Sequence, residues 1–329
     1  MKLKSNIKRN INLIKKAIKI SQLDLSGLTI LTEVGSNYFM YTPLIAALAG
    51  AKKVYAWTKD TRFGKASDIV KECQEIITEY NIPDVIEFSK NVKPENQIIE
   101  ADLVTNLGFI RPIDKKFIEL MSPQAAVAYM CEAWEVREGD VDIASLKKRS
   151  IPVAGTWENH PNFKIFDGCG HLALKLCMEA GFEVYQNDVL IISNDNFGDV
   201  AFDVLKKLSP NSIDKIKIEE VSTIDKSKEY DFVFIADYST QEELIGEVGA
   251  IDLKFLNTNF IIHLCGEIEK EFCNNNGFTL YPDKSGFSKR MTETLAYLGA
   301  KPVIDLHTAG LKVGELLFRG EESELMQKI

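Results

Sequence analysis

Residues 29–60 read TILTEVGSNYFMYTPLIAALAGAKKVYAWTKD, a buried strand, a turn containing Gly35, an apolar helix and a second strand. A strand, a helix and a further strand in this order form the unit from which parallel sheets are built. The turn ahead of the helix can offer backbone N–H groups to an anion, and Asp60, three residues beyond the second strand, can accept from a ribose hydroxyl. The stretch therefore predicts an α/β fold and a candidate nucleotide site.

The same stretch resembles the first motif of class I S-adenosylmethionine-dependent methyltransferases, in which an acidic residue precedes a glycine-rich turn. Glu33 and Gly35 stand in the matching places, whereas Asn37, Tyr38 and Phe39 replace the later glycines and would crowd an adenosyl group. A methyltransferase that binds S-adenosylmethionine through residues 33–60 is one alternative function. An ordinary strand–helix–strand unit is the other interpretation.

Short apolar runs alternate with helical patterns along the rest of the chain. This alternation predicts two Rossmann-like or flavodoxin-like open parallel-sheet domains with an interdomain cleft, preceded by an amphipathic N-terminal helix. Strands are predicted at residues 28–33, 53–57, 84–89, 102–107, 126–131, 189–193, 216–221, 232–236, 260–264 and 302–306, with helices at 42–50, 65–80 and 200–208. The predicted divisions are an N-terminal helix (1–20), a first, substrate-type domain (21–155), an interdomain crossing (156–181), a second, nucleotide-binding-type domain (182–308), and a C-terminal helix and tail (309–329).

The first 20 residues contain seven basic side chains and no acidic one, and Ile7, Ile11, Ile14 and Ile18 recur at helical spacing. This spacing predicts an amphipathic helix that packs its isoleucine stripe on the body of the protein or on a second copy of the chain. We therefore expect a homodimer.

The net charge of −9 excludes the basic surface that non-specific nucleic-acid binding needs. The longest apolar runs are shorter than the roughly 20 residues that span a bilayer, so no membrane span is predicted. Six cysteines are scattered without a CxxC pair, which indicates reduced thiols and a cytoplasmic protein. No metal site is predicted, since Cys169 and His171 lack two further ligands.

Residues 189–208, VLIISNDNFGDVAFDVLKKL, stand where a dinucleotide-binding fingerprint is expected. Ser193, Asp195 and Gly198 occupy the three glycine positions, so only the glycine for close helix–strand packing is kept. About 21 residues after Gly198, an acidic pair follows the next predicted strand, where an acid meets the ribose of NAD. The residues predicted to bind NAD or NADP are Asn194, Asp195, Asn196, Phe197, Gly198, Glu219, Glu220 and Tyr238.

Residues 135–161 and 301–315 resemble the D-isomer-specific 2-hydroxyacid dehydrogenases, the formate and glycerate dehydrogenase group. The matching pieces are Gly139, Asp140 and Asp142, then Ser150, Ile151, Pro152, Val153 and Thr156, and later the segment KPVIDLHTAGLKVGE. The resemblance implies that His307 donates a proton to the substrate carbonyl. Cys265, Gly266 and Glu267 stand where the group has its substrate-anchoring arginine, so the chain is a divergent member by this comparison.

Residues 155–181 add a second group of candidates, since their loop combines polar and aromatic residues that a simple connector does not need. His307, His160 and Glu158 are the predicted catalytic residues, and Trp157, Asn159, Asp167, His171 and Lys312 are the predicted substrate-binding residues. The predicted function is an NAD(P)-dependent oxidoreductase acting on a hydroxyl or carbonyl of a small polar metabolite in the cleft. The alternatives are the methyltransferase and a non-catalytic scaffold or regulatory protein.

Overall fold

The computed structural model describes residues 6–137 and 139–329. The chain divides into two compact units, Met1–Ile165 with Gly299–Ile329 and Phe166–Leu298. The helices are α1 (Ile7–Ser21), α2 (Tyr41–Leu48), α3 (Ala66–Glu79), α4 (Glu95–Glu100), α5 (Lys115–Leu120), α6 (Ile143–Lys148), α7 (Asp167–Glu179), α8 (Asn196–Leu205), α9 (Lys270–Asn275), α10 (Leu295–Leu298) and α11 (Ala300–Arg319). The strands are β1 (Thr29–Glu33), β2 (Lys53–Thr58), β3 (Ile86–Lys90), β4 (Leu103–Thr105), β5 (Ala126–Ala128), β6 (Val153–Thr156), β7 (Asp188–Ile192), β8 (Ser212–Ile216), β9 (Phe232–Ala236), β10 (Glu243–Ile245), β11 (Phe260–Cys265), β12 (Glu267–Ile268), β13 (Thr279–Tyr281) and β14 (Met326–Lys328).

The first unit contains a seven-stranded sheet in the order β14-β6-β5-β4-β1-β2-β3. Its strands are parallel except β14, which pairs antiparallel with β6 at one edge. Strands β2 and β3 lie on one side of β1, and β4, β5 and β6 lie on the other. This is the 3-2-1-4-5-6 order of dinucleotide-binding folds, and its topological switch point falls between β1 and β4.

The second unit contains a five-stranded parallel sheet in the order β13-β11-β9-β7-β8, and β10 pairs with β12 in a separate two-stranded sheet. The larger sheet has the flavodoxin-like order 2-1-3-4-5, with its switch point between β7 and β9. Both predicted sheet types are thus present, and the α/β fold class predicted from the sequence is confirmed.

Helix α1 packs its apolar stripe inside the first unit. Ile7, Ile11, Ile14 and Ala17 are buried in one core with residues of α2 and α11, and the Asn10 Nδ2 donates to the Tyr41 hydroxyl at 2.9 Å. Ile18 is half-buried. The predicted helix is confirmed over its described part, while residues 1–5 of the 1–20 segment lie outside the described residues. Because its own chain covers the stripe, the expected homodimer stays a prediction without support from α1.

Two strand predictions are wrong. Residues 216–221 are predicted as a strand, but β8 ends at Ile216 and a short 3-10 helix, Ile218–Thr223, follows. Glu220 explains part of this, because its carboxylate accepts from the Lys217 backbone N–H at 2.8 Å and caps that helix. The predicted strand 302–306 lies inside α11.

Helix α11 begins at Ala300, earlier than the helix and tail predicted for residues 309–329, and it contains a proline and two glycines. Pro302 stands in the first turn, where its missing N–H costs nothing. Gly310 and Gly314 allow close packing, since a Cβ at Gly310 would approach the Met130 Cγ to 2.6 Å and one at Gly314 would overlap Leu103. The segment HTAG is therefore helix rather than a turn at the sheet edge. Within residues 6–137 and 139–329, no helix is both long and apolar enough to cross a membrane.

Candidate functional site

The turn after β7 in the second unit is filled by the chain's own carboxylate. Asp195 caps α8, because its Oδ1 accepts from the Phe197 N–H at 2.9 Å. Its Oδ2 accepts from the backbone N–H groups of Tyr238 at 2.6 Å and Ser239 at 2.8 Å. Three amides that converge at the switch point therefore already have an anionic partner. Burial is the main reason that the pKa of Asp195 is raised, and the nearby charge of Asp237 adds to it.

Asp237 completes this closed arrangement after β9. It is fully buried, and its carboxylate accepts from the N–H groups of Asn194 at 2.6 Å and Thr240 at 2.8 Å. The Asn194 Oδ1 in turn accepts from the Ile218 N–H at 2.9 Å. The loops after β7, β8 and β9 are thus tied to one another.

The other predicted cofactor residues lie around this turn. Gly198 packs against the strand end, where a Cβ would overlap the Ser193 side chain. Tyr238 is buried, and its ring stacks on Phe197 with centroids 5.4 Å apart. Glu219 is exposed and pairs with Lys217 at 3.9 Å, and Asn196 is the first residue of α8.

This arrangement does not fit a pyrophosphate. A dinucleotide bound at a helix N-terminus needs free backbone N–H groups and no negative side chain among them. Here the Asp195 carboxylate takes those N–H groups, and its charge would repel a phosphate. The eight residues stay predictions as cofactor ligands, and no reaction step is derived through a cofactor at this turn.

The carboxyl edge of the first sheet differs, because a cavity of about 330 Å³ opens at the ends of β2 and β3. The strand register pairs Thr58 with Lys90, so the residues that follow these strands are neighbours. Asn91 donates its N–H to the Thr58 carbonyl at 2.8 Å, and its Oδ1 accepts from the Asp60 N–H at 2.8 Å. The cavity is lined by Trp57, Thr58, Lys59, Asp60, Asn91, Val92, Lys93 and Phe109.

Two lysines give this cavity a positive wall. The Lys93 Nζ donates to the carbonyls of Ile110 at 3.0 Å and Arg111 at 2.9 Å, which fixes it between the loops after β3 and β4. Burial, and next the charge of Lys59, lower the pKa of Lys93. Lys59 lies 5.8 Å from the centroid of the Phe109 ring. Two like charges are therefore held near each other beside an open volume.

Glu33 positions the aromatic wall of the cavity. It is buried at the end of β1, and its Oε2 accepts from the Phe109 N–H at 2.9 Å. Burial raises its pKa, against the smaller lowering effects of that hydrogen bond and of Arg111. The side chain that matched the methyltransferase motif thus holds the loop after β4.

His307 lies in the interior of the first unit and not at an exposed turn. It is 2% exposed on α11, and its Nδ1 lies 2.6 Å from the Thr42 Oγ1 at the start of α2. Burial lowers its pKa to about 4, so the ring is neutral at physiological pH. Its catalytic role stays a prediction, while the expected position on a strand end is wrong.

The predicted site residues of the loop 157–160 come together only in part. Trp157 and His160 form an edge-to-face pair with ring centroids 5.4 Å apart, whereas Asn159 is exposed. Glu158 is buried, and its N–H donates to the Glu132 Oε1 at 2.9 Å. Among the described residues, no hydrogen bond, ion pair or ring contact joins this group to His307.

Glu158 gives a pH-dependent prediction. Burial, then the charges of Glu135 and Glu132, raise its pKa well above the usual value. A raised folded pKa means that its stabilising contribution is present at low pH and is lost as the pH rises through the folded pKa. Glu158→Gln is therefore expected to raise the unfolding midpoint of the first unit by about 2 to 4 °C at pH 8, with no gain at pH 4. Thermal unfolding at both pH values tests this, with the exposed Glu322→Gln as control; an equal gain at both values would contradict it.

The remaining predicted substrate-binding residues are Lys312, Asp167 and His171, and all three lie on helices. The Lys312 Nζ bonds the Gln22 carbonyl at 2.9 Å and pairs with Glu315 at 2.9 Å, joining α11 to the end of α1. Asp167 begins α7, where its charge is favourable at the helix N-terminus, and His171 is exposed on the same helix. Within residues 6–137 and 139–329, no group of three His, Cys, Asp or Glu side chains is arranged to hold a metal ion.

Sequence reasoning named Asp60 but missed Thr58, Lys59 and Lys93. The available signal was their position, since Lys59 and Lys93 come shortly after two predicted strands. Only the neighbouring placement of β2 and β3 in the sheet brings them to one cavity.

Comparisons with known proteins support the fold. No protein-family model matches the chain, and no curated protein matches it. The structure of a dipicolinate synthase component from Bacillus halodurans covers 90% of this chain and 98% of its own, at 11% identity and a TM-score of 0.51. A Ralstonia solanacearum protein named as a D-3-phosphoglycerate dehydrogenase oxidoreductase covers 91% of this chain and 96% of its own, at 8% identity and a TM-score of 0.50. At the level of the fold, the resemblance to D-isomer-specific 2-hydroxyacid dehydrogenases predicted from the sequence is confirmed.

Proposed function

We propose that this chain is an NAD(P)-dependent oxidoreductase that acts on a hydroxyl or carbonyl group of a small polar metabolite. In this proposal the dinucleotide binds at the carboxyl edge of the first unit. The observation that carries the proposal is the difference between the two carboxyl edges. The edge of the second unit is filled by Asp195 and Asp237, whereas the edge of the first unit keeps an open cavity at the ends of β2 and β3, with Phe109 from the loop after β4 in its wall.

The strand order of the first unit supports this placement. In open α/β sheets, ligands bind outside the carboxyl ends of the strands near the switch point, and the 3-2-1-4-5-6 order is that of dinucleotide-binding folds. The cavity volume of about 330 Å³ falls within the range of small-molecule pockets. It suits the adenosine end of a dinucleotide.

Each residue of the cavity has a defined task in this proposal. Asp60 follows β2 and lines the cavity, and in this proposal its carboxylate accepts from the 3′-hydroxyl of the adenosine ribose and leaves the 2′-position to other cavity residues. Its N–H is held by Asn91, and its Oδ1 accepts from the Ala66 N–H at 2.8 Å, so its position is fixed. Phe109 and Val92 offer apolar surface to the flat base. The nicotinamide, when bound, exchanges a hydride with the substrate.

The reaction class rests on fold similarity and on the sequence resemblance. The Ralstonia solanacearum protein is named as an oxidoreductase, and we carry that class over to this chain as part of the proposal. The comparisons give no support to the S-adenosylmethionine alternative.

A titration with NADH and NADPH tests the proposal, with the fluorescence of the reduced nicotinamide as readout. We expect saturable binding below millimolar concentration by at least one of the two. Val92→Trp, at the exposed rim of the cavity, should abolish it by filling the volume. Val248→Trp is the matched control, because Val248 is also exposed but lies in the second unit.

The outcomes separate the candidate functions. Loss of binding in Val92→Trp alone would support the proposal. Binding that survives in Val92→Trp would place the dinucleotide elsewhere, and no binding of either dinucleotide would favour the non-catalytic scaffold.

A further inference from the structure

The cavity of the first unit contains a buried hydroxyl with no partner. Thr58 lines the cavity and is 2% exposed. Among the described residues, its Oγ1 has no hydrogen-bond partner. A buried polar atom left unpaired costs about 1–3 kcal/mol, so such atoms are rare unless a ligand or an ordered water completes them.

Two ammonium groups flank the same volume. An ammonium has three donors, and two of those on Lys93 are used by backbone carbonyls. One N–H therefore remains for a ligand. Lys59 forms no ion pair with any described carboxylate. An anion between the two lysines would relieve their mutual repulsion, which contributes to lowering the pKa of Lys93.

The acidic side chains around the cavity do not neutralise it. Asp60 lines it, but its Oδ1 accepts from the first N–H of α3, and the helix N-terminus offsets part of its charge. Asp114 raises the pKa of Lys93 only as a lesser effect, and its Oδ1 caps α5 by accepting from the Phe117 N–H at 2.9 Å. The charged residues that line the cavity are therefore two lysines, Lys59 and Lys93, and one aspartate, Asp60.

Basic residues after the second strand of a dinucleotide-binding sheet stand where the ribose 2′-position of the adenosine lies. We propose that Lys59, Lys93 and the Thr58 hydroxyl bind a phosphomonoester there, so that the protein prefers NADPH over NADH. This inference rests on the proposed function and names the cofactor class of the same cavity. A phosphate offers acceptor oxygens to both ammonium groups and to the hydroxyl, and such charge-assisted hydrogen bonds are the strong ones.

The test compares the dissociation constants of NADPH and NADH in the wild type and three variants. The wild type should bind NADPH about tenfold more tightly than NADH, as one or two charge-assisted hydrogen bonds allow. Lys59→Gln should weaken NADPH about tenfold and leave NADH within about twofold. Lys52→Gln, exposed at the amino end of β2, should change neither.

Thr58→Val, the third variant, separates ligand binding from folding. Because the hydroxyl is buried and has no partner in the free protein, the variant should have an unfolding midpoint equal to or above that of the wild type, while its NADPH affinity falls. A midpoint several degrees lower would show that the hydroxyl is structural and would overturn its assignment. Equal affinity for both dinucleotides, unchanged in Lys59→Gln, would overturn the phosphate site and leave the proposed function standing. If neither NADPH nor NADH binds, the phosphate site and the proposed function are both overturned.

Discussion

Asp195→Ala is expected to lower the free energy of unfolding of the second unit by about 2 to 4 kcal/mol. The substitution removes the cap of α8, worth about 1 kcal/mol, and leaves the N–H of the buried Tyr238 without its acceptor, at about 1–3 kcal/mol. Ser239 is exposed, so water can replace the carboxylate at its N–H. Denaturant unfolding measures the loss. Asp199→Ala, in the first turn of the same helix with a half-exposed side chain, is the matched control and should cost less than about 1 kcal/mol.

The same variant tests where the dinucleotide binds. Under conditions where Asp195→Ala remains folded, its NADPH affinity should equal that of the wild type, because the cavity lies in the first unit. A variant that unfolds normally but loses NADPH binding would show that Asp195 is a ligand residue.

His307→Ala is expected to destabilise the first unit by about 2 to 4 kcal/mol. The change opens a cavity under α11 and leaves the Thr42 hydroxyl without its partner. A double-mutant cycle with Thr42→Val isolates the contribution of that hydrogen bond. Unchanged stability together with lost oxidoreductase activity would contradict the structural role and would favour the catalytic one.

The pH dependence of the same variant provides a second readout. A histidine whose folded pKa is lowered from 6.5 to about 4 stabilises the protein above the unfolded pKa, and this contribution is lost as the pH falls from about 6.5 towards 4. This lowering of the His307 pKa corresponds to a change of about 3 kcal/mol in the free energy of unfolding between the two ends of the pH window. The free energy of unfolding of His307→Ala should therefore depend less on pH in this window than that of the wild type. Part of the pH dependence should remain, because burial also lowers the pKa of His263 to about 4.

Most strands of both sheets follow from the sequence because they are short apolar runs bounded by turns. Residues 232–236 are predicted with the bounds that β9 has in the structure. The sequence predicts a strand at 302–306 and a helix only from residue 309, whereas α11 already begins at Ala300. Proline and glycine normally interrupt helices, and only the contacts of Gly310 with Met130 and of Gly314 with Leu103 show why these glycines are placed in this helix. Local patterns contain no information about such contacts.

The candidate site was harder to predict than the fold. The sequence places Asp195 at a glycine position of the dinucleotide fingerprint, but it does not show that the carboxylate accepts from three backbone N–H groups. Lys59 and Lys93 lie far apart in the chain, and only the pairing of β2 with β3 makes them neighbours. The choice between the two carboxyl edges therefore required the structure.

Hydrogen exchange of the backbone amides with and without NADPH tests the central claim most directly. If the first unit binds the dinucleotide, NADPH should slow exchange in residues 57–63, 91–93 and 107–111, while exchange in residues 193–198 and 237–240 stays unchanged. Protection confined to residues 193–198 and 237–240 would contradict the account, because it would place the ligand where Asp195 and Asp237 now bond the backbone.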